Sequence, residues 1–594
     1  MKTLATAPLL VVFASLAVLG LVPAALAHGD DMDMNPTEAD KPLPEDQYAP
    51  TYFALTEHAG LIYAHISLMA LAWVVILPLA VMFSIALSRH RLPAQLGFLA
   101  TNAVGLLLGV IYNANTPDLY PNNAHHKLGW ALTWIVGGQV LIGLLATVGG
   151  TLKSRLGRTT SGRADERQSF IPVSTEAMAE HESSFPKTYR FSNDSGQGTE
   201  PTSESLRSHS LSSGPSSPPI PLREARKEYM EGEGDEFVDE DLEAHAPMVS
   251  KSKFSLARSL AQKIAGKISS RFWKLLMLAY NVVDRTILIA GFVALCTGVI
   301  TFGRFFEGHQ IFTGLAHWIK GGVFFWLGLL TLGRWAGSFG ELGWAWNISP
   351  RRASQKWRPS AEFVESALIF FYGSTNIFLE HLGGAGGEWS AQDLEHVSIT
   401  VLFIGGGLCG MLIESISIRD LLNATVTEAG HAAPENAYRD AERDELKQPE
   451  TYRFSMNPIP ALVILLLGIM MSSHTQDSMI SSMVHKQWGN LLTGASFARA
   501  FTYVLIYLKP PTSIYPSRPP TELLTAFGLI SGGVIFMASS GDTVNAMIHY
   551  ELDAMFMYTV TMGFTGLLMA WVIVVIAIKG WAVRREAGRF HRRV

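Results

Sequence analysis

Glu380-His381-Leu382-Gly383-Gly384-Ala385-Gly386-Gly387-Glu388-Trp389-Ser390-Ala391-Gln392-Asp393-Leu394-Glu395-His396 forms the turn between two mostly apolar runs, one starting at Phe371 and one ending at Glu414. Each run is long enough to cross most of a bilayer, and a Glu-His pair sits at each edge of the turn. Ionisable side chains at a membrane boundary are costly unless hydrated, paired or ligated, so a repeated Glu-His asks for a cause. The stretch settles an all-α, membrane-spanning fold and raises the question of what its histidines do.

The composition agrees. Of 594 residues, 48% are apolar and 16% charged, too apolar for an average soluble protein. The 53 glycines suit closely packed membrane helices. Cys296 and Cys409 both fall inside apolar runs, which argues against a disulfide framework and against a Cys-rich zinc site. The expected partner is the lipid bilayer, with no nucleic acid.

Outward from the opening turn, eight spans fill residues 275–583, at about 286–303, 312–334, 363–380, 397–415, 458–472, 489–508, 522–540 and 555–582. A three-span domain at 58–150 precedes them, with spans at about 59–87, 95–113 and 126–150. Residues 1–27 read as a signal peptide, with Lys2, an apolar run and Ala25-Leu26-Ala27; a short exoplasmic segment, 28–57, follows. Basic residues in Ser88–Arg91, after span three and in the tail 584–594 place the N-terminus outside and the C-terminus in the cytosol. The expected location is an integral membrane of the secretory pathway.

The insert at 151–274 has a different character. Ser, Pro, Gly and charge dominate it, which reads as disorder, and residues 159–245 are expected to meet cytosolic partners. Toward its end Leu256, Leu260, Ile264, Ile268 and Phe272 recur four apart among basic residues, the pattern of a helix lying on an anionic leaflet.

Two groups of histidines share the exoplasmic side. In the first, His65 lies inside span one, and His125 and His126 open span three. Those spans run parallel, so their N-terminal ends share a face, and two neutral imidazoles there suit the axial positions of a haem, with Met69, Trp73 and Gln139 lining its pocket. His65-Ile-Ser-Leu-Met-Ala-Leu-Ala-Trp73, Leu77-Pro78, Gln95-Leu-Gly97, His125-His-Lys-Leu-Gly129 and Gln139 resemble the core of the ascorbate-reducible cytochrome b561 class. The resemblance implies a haem b held by His65 with His125 or His126, while Leu92 and Gln95 stand where that class has a histidine of a second pair.

In the second group, His381, His396, His474, His485 and His549 fall at successive helix ends, with Glu380 and Glu395 alongside. Imidazole with carboxylate suits zinc, iron or copper(II), and the nearby Met470, Met471, Met479 and Met483 would favour copper(I). Gly314-Leu-Ala-His317-Trp-Ile-Lys320, Gly333-Arg-Trp-Ala-Gly337, Gly343-Trp-Ala-Trp-Asn347, Ser473-His474-Thr-Gln476 and His485-Lys-Gln-Trp-Gly489 resemble the fungal Ytp-type membrane family. That family's pattern includes the three-span N-terminal domain, and it implies a topology and a location more than an activity.

The leading expectation is a haem- or transition-metal-binding membrane protein with an exoplasmic His-rich site, engaged in electron transfer. A metal-ion or proton transporter, with Lys320, Arg499 and Glu414 along its path, is the alternative. A trafficking scaffold without cofactor is the third.

Overall fold

The structure, a computed structural model, describes residues 49–156, 270–308, 310–350, 359–376, 391–432, 449–473, 476 and 478–590. Outside them lie the expected signal peptide, the partner segment 159–245, nearly all of the basic amphipathic stretch, residues 591–594, Glu380, His381 and His474. The described residues are helical and contain no strand. Nine of their helices are long and apolar enough to cross a membrane. The protein is a polytopic all-α integral membrane protein.

The helices in chain order are α1 (Ala59–Ile85), α2 (Arg91–Asn115), α3 (Ala124–Leu156), α4 (Ser270–Gly303), α5 (Gln310–Ala336), α6 (Ala361–Asn376) and α7 (Ala391–Glu414), followed by α8 (Ile416–Ala432), α9 (Ile459–Ser473), α10 (Met479–Leu508), α11 (Pro520–Ala538), α12 (Gly541–His549) and α13 (Ala554–Phe590). One of the eleven expected spans is a shorter apolar helix, α9 with 15 residues, and α6 is described only as far as Asn376. Residues 1–143 with 274–594 make one compact unit, and 144–273 make another, of which only the helix ends at 144–156 and 270–273 are described.

In the larger unit α1 is irregular for a chemical reason. Pro78 has no N–H to give the Val74 carbonyl one turn back. The helix widens into a π-type turn over Leu71–Ile76, and Trp571 Nε1 on α13 donates to the orphaned Val74 oxygen at 2.9 Å. Trp73, in the widened turn, donates to Asn102 Oδ1 at 2.9 Å and lies where a β-carbon on Gly291 would come within 2.6 Å of its ring. Helix α4 therefore approaches α1 closely at that level.

A buried polar chain ties α1 to α4 at the other end. Gln139 Nε2 and Ser84 Oγ each donate to Asp284 at 2.5 Å, and Gln95 Nε2 donates to Tyr280 Oη at 3.1 Å. Ser84 and Tyr280 hydroxyls meet at 2.8 Å, so each buried polar group has a partner. The Gln95 amide is committed to this polar chain.

Helices α5, α10 and α13 pack around α11, which is buried over most of its length. Close approach needs glycine. A β-carbon on Gly321 of α5 would meet the Gly533 carbonyl of α11 at 2.5 Å, and one on Gly533 would meet the Gly321 carbonyl at 2.6 Å. Gly407 of α7 is similarly pressed onto the Phe370 backbone of α6. Outward faces carry exposed Leu107 and Val110 on α2, Val282 and Ile289 on α4, and Phe501 and Leu505 on α10. With no water in the bilayer core, such faces suit lipid.

Candidate functional site

Helix geometry brings His65 and His125 together. Their rings lie 6.3 Å apart between centroids and cross at 85°. His65 Nδ1 is 2.8 Å from the Gly105 carbonyl on α2, and His125 Nδ1 is 3.1 Å from the Ala294 carbonyl on α4, with Thr297 Oγ1 at 3.3 Å. A carbonyl only accepts, so Nδ1 is the donor in each ring and a neutral imidazole keeps its lone pair at Nε2. Both rings depend on missing side chains: a β-carbon on Gly109 would lie 2.7 Å from His65 Nδ1, and one on Gly298 would lie 3.1 Å from His125 Cε1.

The neighbours expected to line this place divide. Met69 reaches Gly105 beside the His65 acceptor. Trp73 and Gln139 are occupied deeper, by Asn102 and Asp284. His126 is exposed, with its backbone N–H bonded to Asn123 Oδ1 at 3.0 Å, so His125 is the partner of His65.

A second imidazole pair forms between α5 and α10. His317 and His485 have ring centroids 5.9 Å apart at 89°. Each Nδ1 is 2.8 Å from a carbonyl one turn back on its own helix, Thr313 and Ser481 respectively. Phe536 of α11, stacked on Trp488 at 4.0 Å, backs the His317 ring. His396 on α7 and Lys320 are in electrostatic reach of His317. Sequence reasoning did not include His317 among the metal candidates; its signal was a lone imidazole two turns into an apolar run. Of the others, His549 ends α12 against the Tyr550 ring, and Glu395 is exposed. Among the described residues, no three His, Cys, Asp or Glu side chains are grouped to hold a metal ion.

At the opposite ends of α5 and α10 the chemistry changes to charge. Arg334 of α5 donates to Glu362 at 2.9 Å and to Glu365 at 3.0 Å, both on α6. Arg499 of α10 reaches Glu365 at 3.2 Å and lies 2.9 and 3.0 Å from the two oxygens of Glu522 on α11. Its Nη2 donates to Thr331 at 3.0 Å, Arg334 Nε donates to the Trp344 carbonyl at 2.8 Å, and the Trp346 ring lies 4.4 Å from the Arg334 guanidinium. All five charged side chains are buried. Glu414 stays outside this cluster, accepting from Ser360 at 2.6 Å and Ser455 at 2.7 Å. Glu522 was not picked out beforehand, although a carboxylate two residues past Pro519-Pro520 and inside an apolar run was visible.

Residues 290–580 match the family described as Protein YTP1-like, C-terminal, and residues 46–148 match a domain of unknown function (DUF2427). The chain is 33% identical to the Uncharacterized membrane protein C3B8.06 of Schizosaccharomyces pombe, over 94% of this chain and 100% of that protein. It is 42% identical to the Uncharacterized membrane protein YCR061W of Saccharomyces cerevisiae, over 49% of this chain and 46% of that one. Protein YTP1 of the same yeast is 23% identical over 42% of this chain and 44% of its own length. No solved structure matches the chain.

Proposed function

The chain belongs to the YTP1-like family of fungal membrane proteins, and from that premise we propose that it carries a transition-metal centre, a haem iron in the first instance, between His65 and His125 and uses it in electron transfer. The observation that carries this reading is the crossed imidazole pair at 6.3 Å. At that separation the two rings would hold one metal ion through the Nε2 atoms their Nδ1 contacts leave free, and the ion would supply the redox chemistry. The Nδ1 contacts to the Gly105 and Ala294 carbonyls supply the outer-shell support that fixes a ligating histidine's tautomer and raises its basicity. A bis-imidazole haem supplies one-electron chemistry; the chain's part is to hold both rings, through Gly109 and Gly298, at the separation the metal requires.

The second imidazole set, His396 and His485 with Glu395, is proposed as a site for zinc, copper or iron, with His317 joining it; Glu380, His381, His474 and His549 belong to the same proposal. Positive charge after α1 and α3 favours an exoplasmic face for both sets and a membrane of the secretory pathway. Protease protection of a C-terminal tag in sealed vesicles checks the orientation: protection is expected only if the tail is luminal, which would sink it.

The test is a reduced-minus-oxidised absorption spectrum of the full chain purified in detergent from cells supplied with haem and metals, with metal analysis of the same sample. A sharp α-band that disappears in His65→Ala and in His125→Ala, and persists in His126→Ala, is the expected result. Stoichiometric metal without a band, lost in the same two variants, assigns a bare ion. The absence of both signals overturns the proposal and leaves the transporter and scaffold readings.

A further inference from the structure

We infer that the buried Arg–Glu cluster is a proton-binding site that holds one exchangeable proton on Glu522. The inference is independent of any metal at the imidazole pairs. Two guanidiniums, Arg334 and Arg499, face three carboxylates, Glu362, Glu365 and Glu522, and every one of these side chains is at most 6% exposed. With all five ionised the cluster would carry one uncompensated negative charge in a low-dielectric interior, where an unpaired charge is strongly disfavoured. One added proton makes the cluster neutral.

Burial selects the carboxylate. Glu365 bridges both guanidiniums, while Glu362 and Glu522 have one each, Arg334 and Arg499, and each shares it with Glu365. Of the two, Glu522 is the more deeply buried, fully excluded against 6% exposure for Glu362, and among the described residues its Oε1 accepts no hydrogen bond.

A second observation points into the same place. Tyr503 is buried, and among the described residues its phenol oxygen has no hydrogen-bond partner, although Glu362, Glu365, Glu522 and Arg499 are all in its electrostatic reach. The buried Ser496 hydroxyl, also without a partner among the described residues, lines a small cavity with Glu365, Arg499 and Thr525. Polar groups left open beside a cavity are where water enters a protein interior, and a proton reaches a buried carboxylate along water. The groups that face Glu522 are Arg334 from α5, Glu365 from α6, and Arg499, Thr502 and Tyr503 from α10, with Glu362 of α6 facing Arg334 and Arg499. From α7, Glu414 adds a further carboxylate in reach of Glu362.

The step is a simple protonation: a solvent proton adds to a Glu522 oxygen and leaves by the same route, with no bond otherwise made or broken. Infrared difference spectra of the full chain in lipid nanodiscs, between mildly acidic and mildly alkaline buffers, read it directly. With 13C-labelled glutamate the expected result is a carboxylic-acid C=O band that loses intensity as pH rises and shifts in D2O. The label separates glutamates from Asp284. The band is expected to vanish in Glu522→Gln, which mimics the protonated acid, and to remain in Glu414→Gln. A wild-type protein without such a labelled band overturns the inference even if the variant fails to fold. A band unchanged in Glu522→Gln also overturns it. Loss of the band on adding sodium chloride at constant pH would assign the place to a metal cation instead and likewise overturn it.

Discussion

The His65 imidazole occupies the space that a side chain on Gly109 would take: a β-carbon there would sit 2.7 Å from Nδ1, the atom bonded to the Gly105 carbonyl. Gly109→Ala must displace the ring or separate α1 from α2. The expected cost is about 1–3 kcal/mol, as for other overpacked sites, together with loss of the absorption or metal assigned to the pair. Gly129→Ala on α3, with nothing within 4 Å of its β-carbon, is the control and should leave both unchanged. Thermal midpoints and spectra of the two purified variants check this.

Removing one member of a buried ion network leaves charge stranded. Arg499→Gln strips Glu522 of its guanidinium and Glu365 of one of two, and should destabilise the protein by about 3–5 kcal/mol. Adding Glu365→Gln should recover part of the loss, so that the double variant is more stable than the sum of the singles predicts. A double-mutant cycle on denaturation of the purified protein measures it; strict additivity would mean the two side chains are not coupled.

Helices α5 and α11 meet backbone to backbone at Gly321 and Gly533. A β-branched residue at Gly533 cannot be absorbed by a rotamer change, because the obstructing atoms are backbone, the Gly321 carbonyl oxygen and the Phe325 nitrogen. Gly533→Val should cost about 2 kcal/mol or more and loosen the Trp488–Phe536 stack, which a change in tryptophan fluorescence would register.

Asp542, in the short α12 outside the spans, accepts the Phe306 N–H at 2.6 Å. Burial, opposed by that hydrogen bond and aided by Glu307, raises its carboxyl above the ordinary 3.8. The folded state therefore binds this proton more tightly than the unfolded chain. Its contribution is fully present below 3.8 and declines as pH rises through the higher folded value. The thermal midpoint of the wild type should fall over that window more than that of Asp542→Asn; parallel curves would show that another group is responsible.

Much of the fold was legible because each helix is written locally. The span expected at 312–334 is α5 at Gln310–Ala336, and the one at 95–113 is α2 at Arg91–Asn115. The span expected at 489–508 belongs to α10, whose helix begins earlier, at Met479, where the Ser478 hydroxyl accepts the Ser481 N–H. His65 and His125 could be matched because both open parallel neighbouring spans. His317 and His485 could not, since their meeting depends on α5 packing beside α10 in the assembled bundle. Arg499 stood out as a charge in an apolar run, whereas its partners Glu365 and Glu522 come from two other helices, an arrangement fixed only by packing.

The charge cluster also bears on how the protein is made. Each guanidinium finds a carboxylate on the helix that follows it in the chain: Arg334 on α5 meets Glu362 and Glu365 on α6, and Arg499 on α10 meets Glu522 on α11. A lone arginine is costly at the centre of an inserting segment. Synthesised as hairpins, these two pairs of helices bring the neutralising group with them, so that no arginine waits in lipid for a distant partner. Of the cluster's ion pairs among the described residues, Glu365–Arg499 is the one that joins one hairpin to the other, so it can close only once both have entered the bilayer.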